Sequence, residues 1–562
     1  MWDQTLFAQN FDGWYGGTEI IIGQFGNDNM HALVTSIHLS WGWQRRAMCF
    51  LAGVLTLLAQ PPFGFMVLLW LSFPLLVWVM DSASFTRGIS NRFFAGFGVG
   101  WWYGFGYFVP ALYWLGNAFL VDAGRFAWAM PLAVLVLPAC LSLFWAIAFG
   151  IINLFWKPGI SRVFLLGLAL GLAEWGRATM FTGFPWANPG LGLVGTGVQM
   201  QILALTGGQI LAFWLPLIFA IPVLIWAEKQ RTPGSFGLLA FVIVLLCAQT
   251  GFGFNRLNLI EHTDENIVVR LVQGNIPQAE KWLPENRDTI FNKYLELTGS
   301  PTIDASVKSR NIDYVIWPET SVPFLLTREP LGLTRIAEAL PDEAKLITGA
   351  LRQQVVTMET AAGKLFNSIF LIANNGEVEA AYDKNHLVPF GEYLPFQKTL
   401  EDIGLQQLTR IKGGFETGTV RQLMGDKNSR FLPLLCYEII FPGEILSSLE
   451  RPHWILNLTN DAWFGQTLGP YQHYFQARMR AVEMGLPVVR VANTGVSGVI
   501  DPYGNTIAKI ALGKSGFLDV IVPDRLQETF YSKHANEIML MNILLFLILI
   551  IGSQFIFNKP DD

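Results

Sequence analysis

Eight apolar stretches, near residues 47–61, 64–80, 94–116, 127–153, 162–181, 206–227, 235–252 and 538–557, limit what this chain can fold into more than any other feature. A helix needs about 20 apolar residues to cross a hydrocarbon core, so these stretches predict a multi-pass helical membrane domain. The first two are short and meet at "QPPFGF", where Pro61 and Pro62 interrupt helical hydrogen bonding and predict a hairpin of two helices.

Composition supports two bodies in different solvents. Only 14% of the residues are charged, against about 25% in ordinary soluble domains. The shortage is confined to residues 47 to about 255, whereas 256 to 530 carries a normal share of Asp, Glu, Lys and Arg. The division expected is a polar extension (1–43), a transmembrane domain of about seven helices (44–255), an aqueous domain (256–530), and a last transmembrane helix with a short tail (531–562). Arg45, Arg46, Arg87, Arg92, Lys157, Arg162, Lys229 and Arg231 flank alternate spans, and the opposite connections hold little beyond Arg125, Arg177 and Arg256. Basic residues gather on the cytoplasmic side, which predicts both termini inside and the aqueous domain outside. Residues 1–40 contain no Lys or Arg and lack the basic start of a signal peptide; they read as a cytoplasmic extension, or as sequence before a true start at Met30.

Of four cysteines, Cys49, Cys140 and Cys247 fall within predicted spans, so no disulfide framework is expected. Cys436 stands alone in the aqueous domain, where an unpaired thiol in an oxidising compartment makes a purely structural role less natural. There is no CxxC, no metal-ligand spacing, no phosphate loop, no basic stripe for nucleic acid and no internal repeat.

From Asn266 onward, β-rich runs ("IVVRLVQGNI", "YVIWPET", "KLITGAL", "NSIFLIAN", "RFLPLLCYE", "HWILNLTND", "PVVRVANTG", "GFLDVIVP") alternate with helical patterns near 284–298, 331–340 and 468–484. This predicts a layered α/β domain with its functional residues at strand ends. Cys436 is at such an end, and a nucleophilic thiol needs a base within reach. Glu319 in "WPET" and Lys384 in "DKNHLVPFGEYLP" end other β-runs. Taken singly, Glu319 reads as a solvated loop carboxylate and the neighbours Asp383 and Lys384 as a surface pair of little consequence. Within the spans, Glu174 and Arg177 lie three apart, close enough to pair on one helical face.

Together, Glu319, Lys384 and Cys436 in these local contexts resemble the general base, oxyanion-stabilising cation and nucleophile of the nitrilase superfamily of carbon-nitrogen hydrolases, which implies an αββα sandwich. Glu392 in "FGEYLP" falls where that superfamily commonly has another active-site carboxylate. With eight spans around the domain, and with "GFPW" at 183–186, "VQGNIPQAEKW" at 272–282 and "HLVPFGEYLP", the chain from about residue 44 onward is similar to the membrane-embedded apolipoprotein N-acyltransferase family. The resemblance implies a bacterial inner-membrane enzyme. It would take an acyl chain from the sn-1 position of a phospholipid such as phosphatidylethanolamine, hold it as a Cys436 thioester, and pass it to the α-amine of a diacylglyceryl-cysteine on an apolipoprotein. Such an enzyme would act as a monomer without metal or cofactor.

Five further residues match positions that the family treats as functional or that suit the site. Tyr437 and Glu438 follow the nucleophile, and Glu438 could position Lys384 or the incoming amine, or serve as a structural salt bridge. Trp282 matches a tryptophan linked to lipid binding, although interfacial anchoring explains it equally. Asn367 in "LFNSIF" is either a hydrogen-bond donor to the site or a strand-edge cap, and Glu392 completes the set. Apolar loops at 322–332 and 393–415 could exclude water as a lid. His386 and His473 read as packing or surface residues. Asp383 stands where some members have a neutral amide, which bears on the electrostatics of Lys384. The competing expectations are a membrane-tethered amidase or nitrilase using the same three residues, and a transporter whose aqueous domain binds ligand.

Overall fold

Helices form where the apolar stretches were expected, and breaks fall at proline. The computed structural model describes residues 27–226, 233–258, 267–302, 307–354 and 363–557, apart from 403, 405, 410 and 447–449. Its first helix, α1 (Asn27–His38), lies in the expected polar extension and packs on α3; residues 1–26 lie outside the described residues. Then follow α2 (Gly42–Leu58), α3 (Leu69–Ser84), α4 (Ile89–Leu112), α5 (Met130–Phe155), α6 (Ser161–Thr179), α7 (Leu211–Phe219) and α8 (Pro233–Leu257). The gap between α2 and α3 holds Pro61 and Pro62, as expected of the hairpin. The sixth expected span is not one helix: α7 gives way at Ala220 to a short helix Ile221–Trp226, with Pro222 unable to supply a helical N–H.

Four stretches among the described residues, Met66–Ser84, Ala123–Phe155, Pro233–Leu257 and Phe530–Ser553, are long and apolar enough to cross a membrane. The other expected spans are helical but shorter, or rich in glycine and polar side chains. In α4 the glycines are there for close approach: β-carbons added at Gly96 or Gly100 would lie 2.5 Å from atoms of α5. Small residues at four-residue spacing let two helices meet backbone to backbone where lipid offers no hydrophobic drive. Arg45, Arg92 and Arg162 gather at one end of the bundle. Arg45 donates to the Ser40 carbonyl and the Ser82 hydroxyl, Arg92 to the Asn153 and Trp156 carbonyls, and Arg162 to Asp81 at 2.6 Å.

The aqueous region builds two sheets. One has six strands in the order β11-β1-β2-β3-β4-β5: β1 (Ile267–Gln273), β2 (Tyr314–Ile316), β3 (Lys345–Gln353), β4 (Leu365–Ile372), β5 (Val378–Asp383) and β11 (Gly516–Val522). The other runs β10-β9-β8-β7-β6: β6 (Phe431–Leu435), β7 (Trp454–Thr459), β8 (Val488–Ala492), β9 (Ser497–Ile500) and β10 (Thr506–Ile510). The expected runs became β1 to β4, β6 to β8 and β11. Strand β5 was not anticipated, because "VEAAYD" is a half-exposed edge with one β-branched residue; β9 and β10 are short and were also missed.

Period-two alternation sorts each strand between layers. Val269, Leu271, Ile316, Ile347 and Ile369 face Phe431, Leu435, Leu456, Leu458 and Val489 across the middle. Val268, Val315, Trp317 and Leu346 turn outward onto α9 (Arg287–Gly299) and α10 (Pro330–Ala339). On the second sheet, Leu432, Leu434, Ile455 and Val488 turn outward onto α11 (Gly469–Met484) and join one apolar cluster with residues of α2 to α8 and of α12 (Phe530–Phe557). The result is an αββα sandwich whose second outer face is continuous with the helical bundle. Polar contacts cross the same boundary: Gln472 of α11 accepts from the indoles of Trp114 and Trp186 at 3.1 and 2.8 Å, and Glu483 accepts from the Gly208 amide at 2.8 Å.

Candidate active site

The three residues singled out as base, cation and nucleophile follow β2, β5 and β6. Trp317 and Pro318 carry the chain from β2 to Glu319, which packs on β3 at Gly349, where a β-carbon would stand 2.6 Å from the Glu319 Cα. Lys384 is the first residue after β5, and its amide donates to the Asn367 carbonyl at 2.9 Å. Cys436 follows β6 at φ 47°, in the left-handed region that costs a residue with a β-carbon roughly 1–2 kcal/mol. Its carbonyl accepts from His473 Nε2 at 3.0 Å and from the Asn457 amide at 3.3 Å, which hold the turn.

All three side chains are buried, and they form one electrostatic unit with Asn367 and Glu392. Lys384 Nζ lies 2.9 Å from Glu392 and 3.8 Å from Glu319. The Asn367 amide donates to Glu319 at 2.7 Å and to Glu392 at 3.0 Å, bridging both carboxylates. Burial raises the pKa of Glu319 above the usual carboxylate range, more than the nearby Lys384 lowers it, and Glu392 adds to the rise. Lys384 is held well above an ordinary lysine; burial opposes this, but Glu392, Glu319 and Cys436 outweigh it. Burial, then Glu319, push the Cys436 thiol far up, against Lys384 and a 3.2 Å hydrogen bond from the Thr459 hydroxyl. The resting group is therefore a thiol beside a carboxylate of raised proton affinity, an arrangement for proton transfer at the moment of attack rather than for a standing thiolate.

Glu438 joins the two sheets. Its Oε2 accepts from the Leu435 amide at 2.6 Å, while Oε1 accepts from the amides of Asn385 and His386 at 2.8 and 3.2 Å and from the Tyr382 hydroxyl at 2.8 Å. This pins the loop bearing Lys384 to the turn bearing Cys436; Arg421, 3.6 Å away, is the more distant partner. The Tyr437 hydroxyl donates to the Gly183 carbonyl at 3.2 Å and its ring stacks on Phe184, so "GFPW" touches the residue after Cys436. Behind that loop, Arg177 pairs with Glu174 at 3.0 Å and donates to the carbonyls of Phe184 and Trp186.

Trp282 is not drawn into the cluster and stays 45% exposed. Asp383 proves to be no partner of Lys384: successive strand residues point to opposite faces, and its carboxylate pairs with Arg352 at 2.7 and 2.6 Å. His473 is no surface residue, since α11 is buried nearly all round. Its Nδ1 lies 2.9 Å from Asp461, and Arg490 donates to the other Asp461 oxygen at 2.8 Å. Cys436, Asp461 and His473 approach one another closely enough to share an ion, but the donor set does not suit one. Both ring nitrogens are hydrogen-bonded and a guanidinium already neutralises Asp461. In the loops expected to act as a lid, Leu331 and Phe396 are exposed, Phe396 at 86%. Missed from the sequence were Lys281, Thr459 and the Asp461–His473–Arg490 cluster; "LTNDAWFG" and "AEKW" were the local signals.

Residues 268–530 match the carbon-nitrogen hydrolase family model, and residues 52–221 match that of the apolipoprotein N-acyltransferase N-terminal domain. A protein of Rhodopseudomonas palustris named apolipoprotein N-acyltransferase is 42% identical over 505 residues, covering 89% of this chain and 94% of its own length. Proteins of the same name from Agrobacterium fabrum (42% over 527 residues, 92% and 98% covered) and Rhizobium etli (41% over 541 residues, 94% and 100% covered) extend the likeness along nearly the whole length. With that identity and coverage, this membrane protein with an α/β domain of carbon-nitrogen hydrolase type belongs to the apolipoprotein N-acyltransferase family.

Proposed function

We propose that this protein transfers an acyl chain from the sn-1 position of a phospholipid, phosphatidylethanolamine foremost, to the α-amine of a diacylglyceryl-cysteine at the N terminus of apolipoproteins. The observation that carries the reading is the buried convergence of Glu319, Lys384 and Cys436 from three strand ends, with the neighbouring Tyr437 bonded to the "GFPW" loop of the helical bundle. A site joined to the helical bundle suits a lipid acyl donor and a lipid-anchored acceptor.

In the first half-reaction Glu319 takes the Cys436 proton as sulfur attacks the ester carbonyl. Lys384, together with backbone N–H groups, stabilises the tetrahedral oxyanion. The bond to the glycerol oxygen breaks, Glu319 returns the proton to it, and a lysophospholipid leaves an acyl thioester behind. In the second, the acceptor amine attacks the thioester, Glu319 removes the amine proton, and the sulfur departs and recovers that proton. Thioester storage suits an amine acceptor, because the thiolate is a good leaving group and water is kept from the site meanwhile. Lys384 is suited to its part because its carboxylate partners keep it charged. We assign the domains as residues 1–43, 44–255, 256–530 and 531–562, with the α/β domain on the periplasmic side of a bacterial inner membrane, both termini cytoplasmic, and the chain working as a monomer.

Intact mass of the full-length protein after incubation with phosphatidylethanolamine tests this. The expected result is an added acyl mass that hydroxylamine removes and that Cys436→Ala never acquires. Intact phospholipid and no adduct would instead favour hydrolysis of a small amide or nitrile by the same three residues.

A further inference from the structure

Lys281 is a buried cation that the two half-reactions leave unused. The turn beginning at Pro277, whose carbonyl accepts from the amides of Glu280 and Lys281, tucks the side chain inward until it is 1% exposed. Its Nζ donates to the Glu319 carbonyl at 3.3 Å, its one hydrogen bond among the described residues. An ammonium has three donors, and burying one so thinly bonded is costly unless a charge answers it.

The charges nearby show what answers it. Glu319 and Glu392 are two buried carboxylates with Lys384 between them, and Asn367 and the Cys436 thiol, the other polar groups facing Glu319, are uncharged. Counted by formal charge, two carboxylates and one ammonium leave that group one negative charge in excess in a buried setting. Lys281 supplies the missing positive charge. We propose that Lys281 is a positioning residue whose buried ammonium, completing a set of two carboxylates and two ammoniums, keeps Glu319 ionised as the base toward Cys436. The inference rests on the acyl-transfer reading for its purpose, but not for its measurement.

The direction of the effect follows from the electrostatics. Lys281 lowers the proton affinity of Glu319, opposing burial and Glu392. Burial in turn brings Lys281 itself down to about 8, with Glu319 pulling the other way. Removing the ammonium therefore raises the pH at which Glu319 ionises, while leaving little difference once the medium is alkaline enough to ionise it anyway.

The test is the rate at which iodoacetamide alkylates Cys436 in the full-length protein without lipid, followed by peptide mass from pH 5 to 9. Wild type, Lys281→Gln and Lys281→Arg are compared, with thioester formation from phosphatidylethanolamine measured in parallel. In Lys281→Gln the alkylation midpoint moves about one unit upward, so the reaction is about tenfold slower at the acid end and converges with wild type near pH 9. Lys281→Arg keeps the wild-type midpoint. An unmoved midpoint in Lys281→Gln, whatever its rate, or a displaced one in Lys281→Arg overturns the proposal. Should Lys281→Gln not fold, Lys281→Met is read in its place by the same criterion. Absence of a thioester in wild type while the alkylation midpoint still moves with Lys281→Gln would sink the acyl-transfer reading and leave this one standing.

Discussion

The two sheets of the sandwich share a core but are covered by different materials. The six-stranded sheet carries α9 and α10, and its outer residues form a small separate cluster. The five-stranded sheet carries α11, and its outer residues belong to the same apolar cluster as the membrane helices. Glu319 and Lys384 come from the first sheet and Cys436 from the second. The candidate site is thus a seam: the Cys436 sulfur is registered to the bundle, and Glu319 and Lys384 to the opposite layer. Glu438 fastens the seam from one side and Asn367 orders the carboxylates on the other.

Substitutions on each side should break this arrangement differently. The largest effect is expected in the bundle-facing sheet from Asp461→Asn, which leaves Arg490 buried without its counter-charge. Stripping one partner from such a pair costs about 3–5 kcal/mol, read as a large fall in unfolding temperature in detergent. The pH dependence has a definite sign: burial alone would raise Asp461, but Arg490 and His473 outweigh it and hold the carboxyl at about 2. A carboxyl depressed in the folded state stabilises above its unfolded value of about 3.9 and loses that contribution as pH falls toward 2. Wild type should therefore lose stability over that interval, and Asp461→Asn should lack that component.

Next, Lys384→Met on the other side should slow thioester formation about 10²–10³-fold if the proposed oxyanion contact is lost. Because the substitution also strips the ammonium from between the buried carboxylates of Glu319 and Glu392, it should lower the unfolding temperature as well, whereas Asp461→Asn is expected to act through stability first. Glu438→Gln, at the seam, replaces a carboxylate that accepts from four donors, which costs about 2 kcal/mol; it should lower unfolding temperature and rate together. A change in stability with an unaltered rate would show that fastening the sheets does not set the site. Tyr437→Phe is the smallest, removing one hydrogen bond to Gly183 worth about 1 kcal/mol, and should slow thioester formation a few-fold with little change in unfolding.

The sequence was most legible where one local pattern had one structural meaning. Apolar runs became helices, β-branched runs became inner strands, and a thiol, a carboxylate and an ammonium at strand ends came together. It was least legible where burial depends on tertiary packing. Nothing local distinguishes Lys281 from its neighbour Trp282, yet the cation is enclosed and the indole exposed. His473 lies in a helix whose polar residues suggest a wet face, but that face is covered by the bundle on one side and the turn at Cys436 on the other. Asp383 and Lys384 read as a pair because they are neighbours, whereas strand geometry sends them to different partners. Strand β5 was invisible because an exposed edge needs little β-propensity once its neighbour supplies the hydrogen bonds.

The shared cover of the second sheet also dictates an order of construction. Helices α2 to α8 leave the ribosome before any strand, so the face made by Leu432, Leu434, Ile455 and Val488 meets a bundle that already exists. A fragment beginning near residue 256 would present that face bare and gather into insoluble assemblies. The final helix, α12, is synthesised after both sheets and packs on α6, clamping the sandwich between the first-made and last-made parts of the chain. Truncation before Phe530 would therefore yield a chain that has every candidate active-site residue yet matures poorly, a defect of assembly rather than of chemistry.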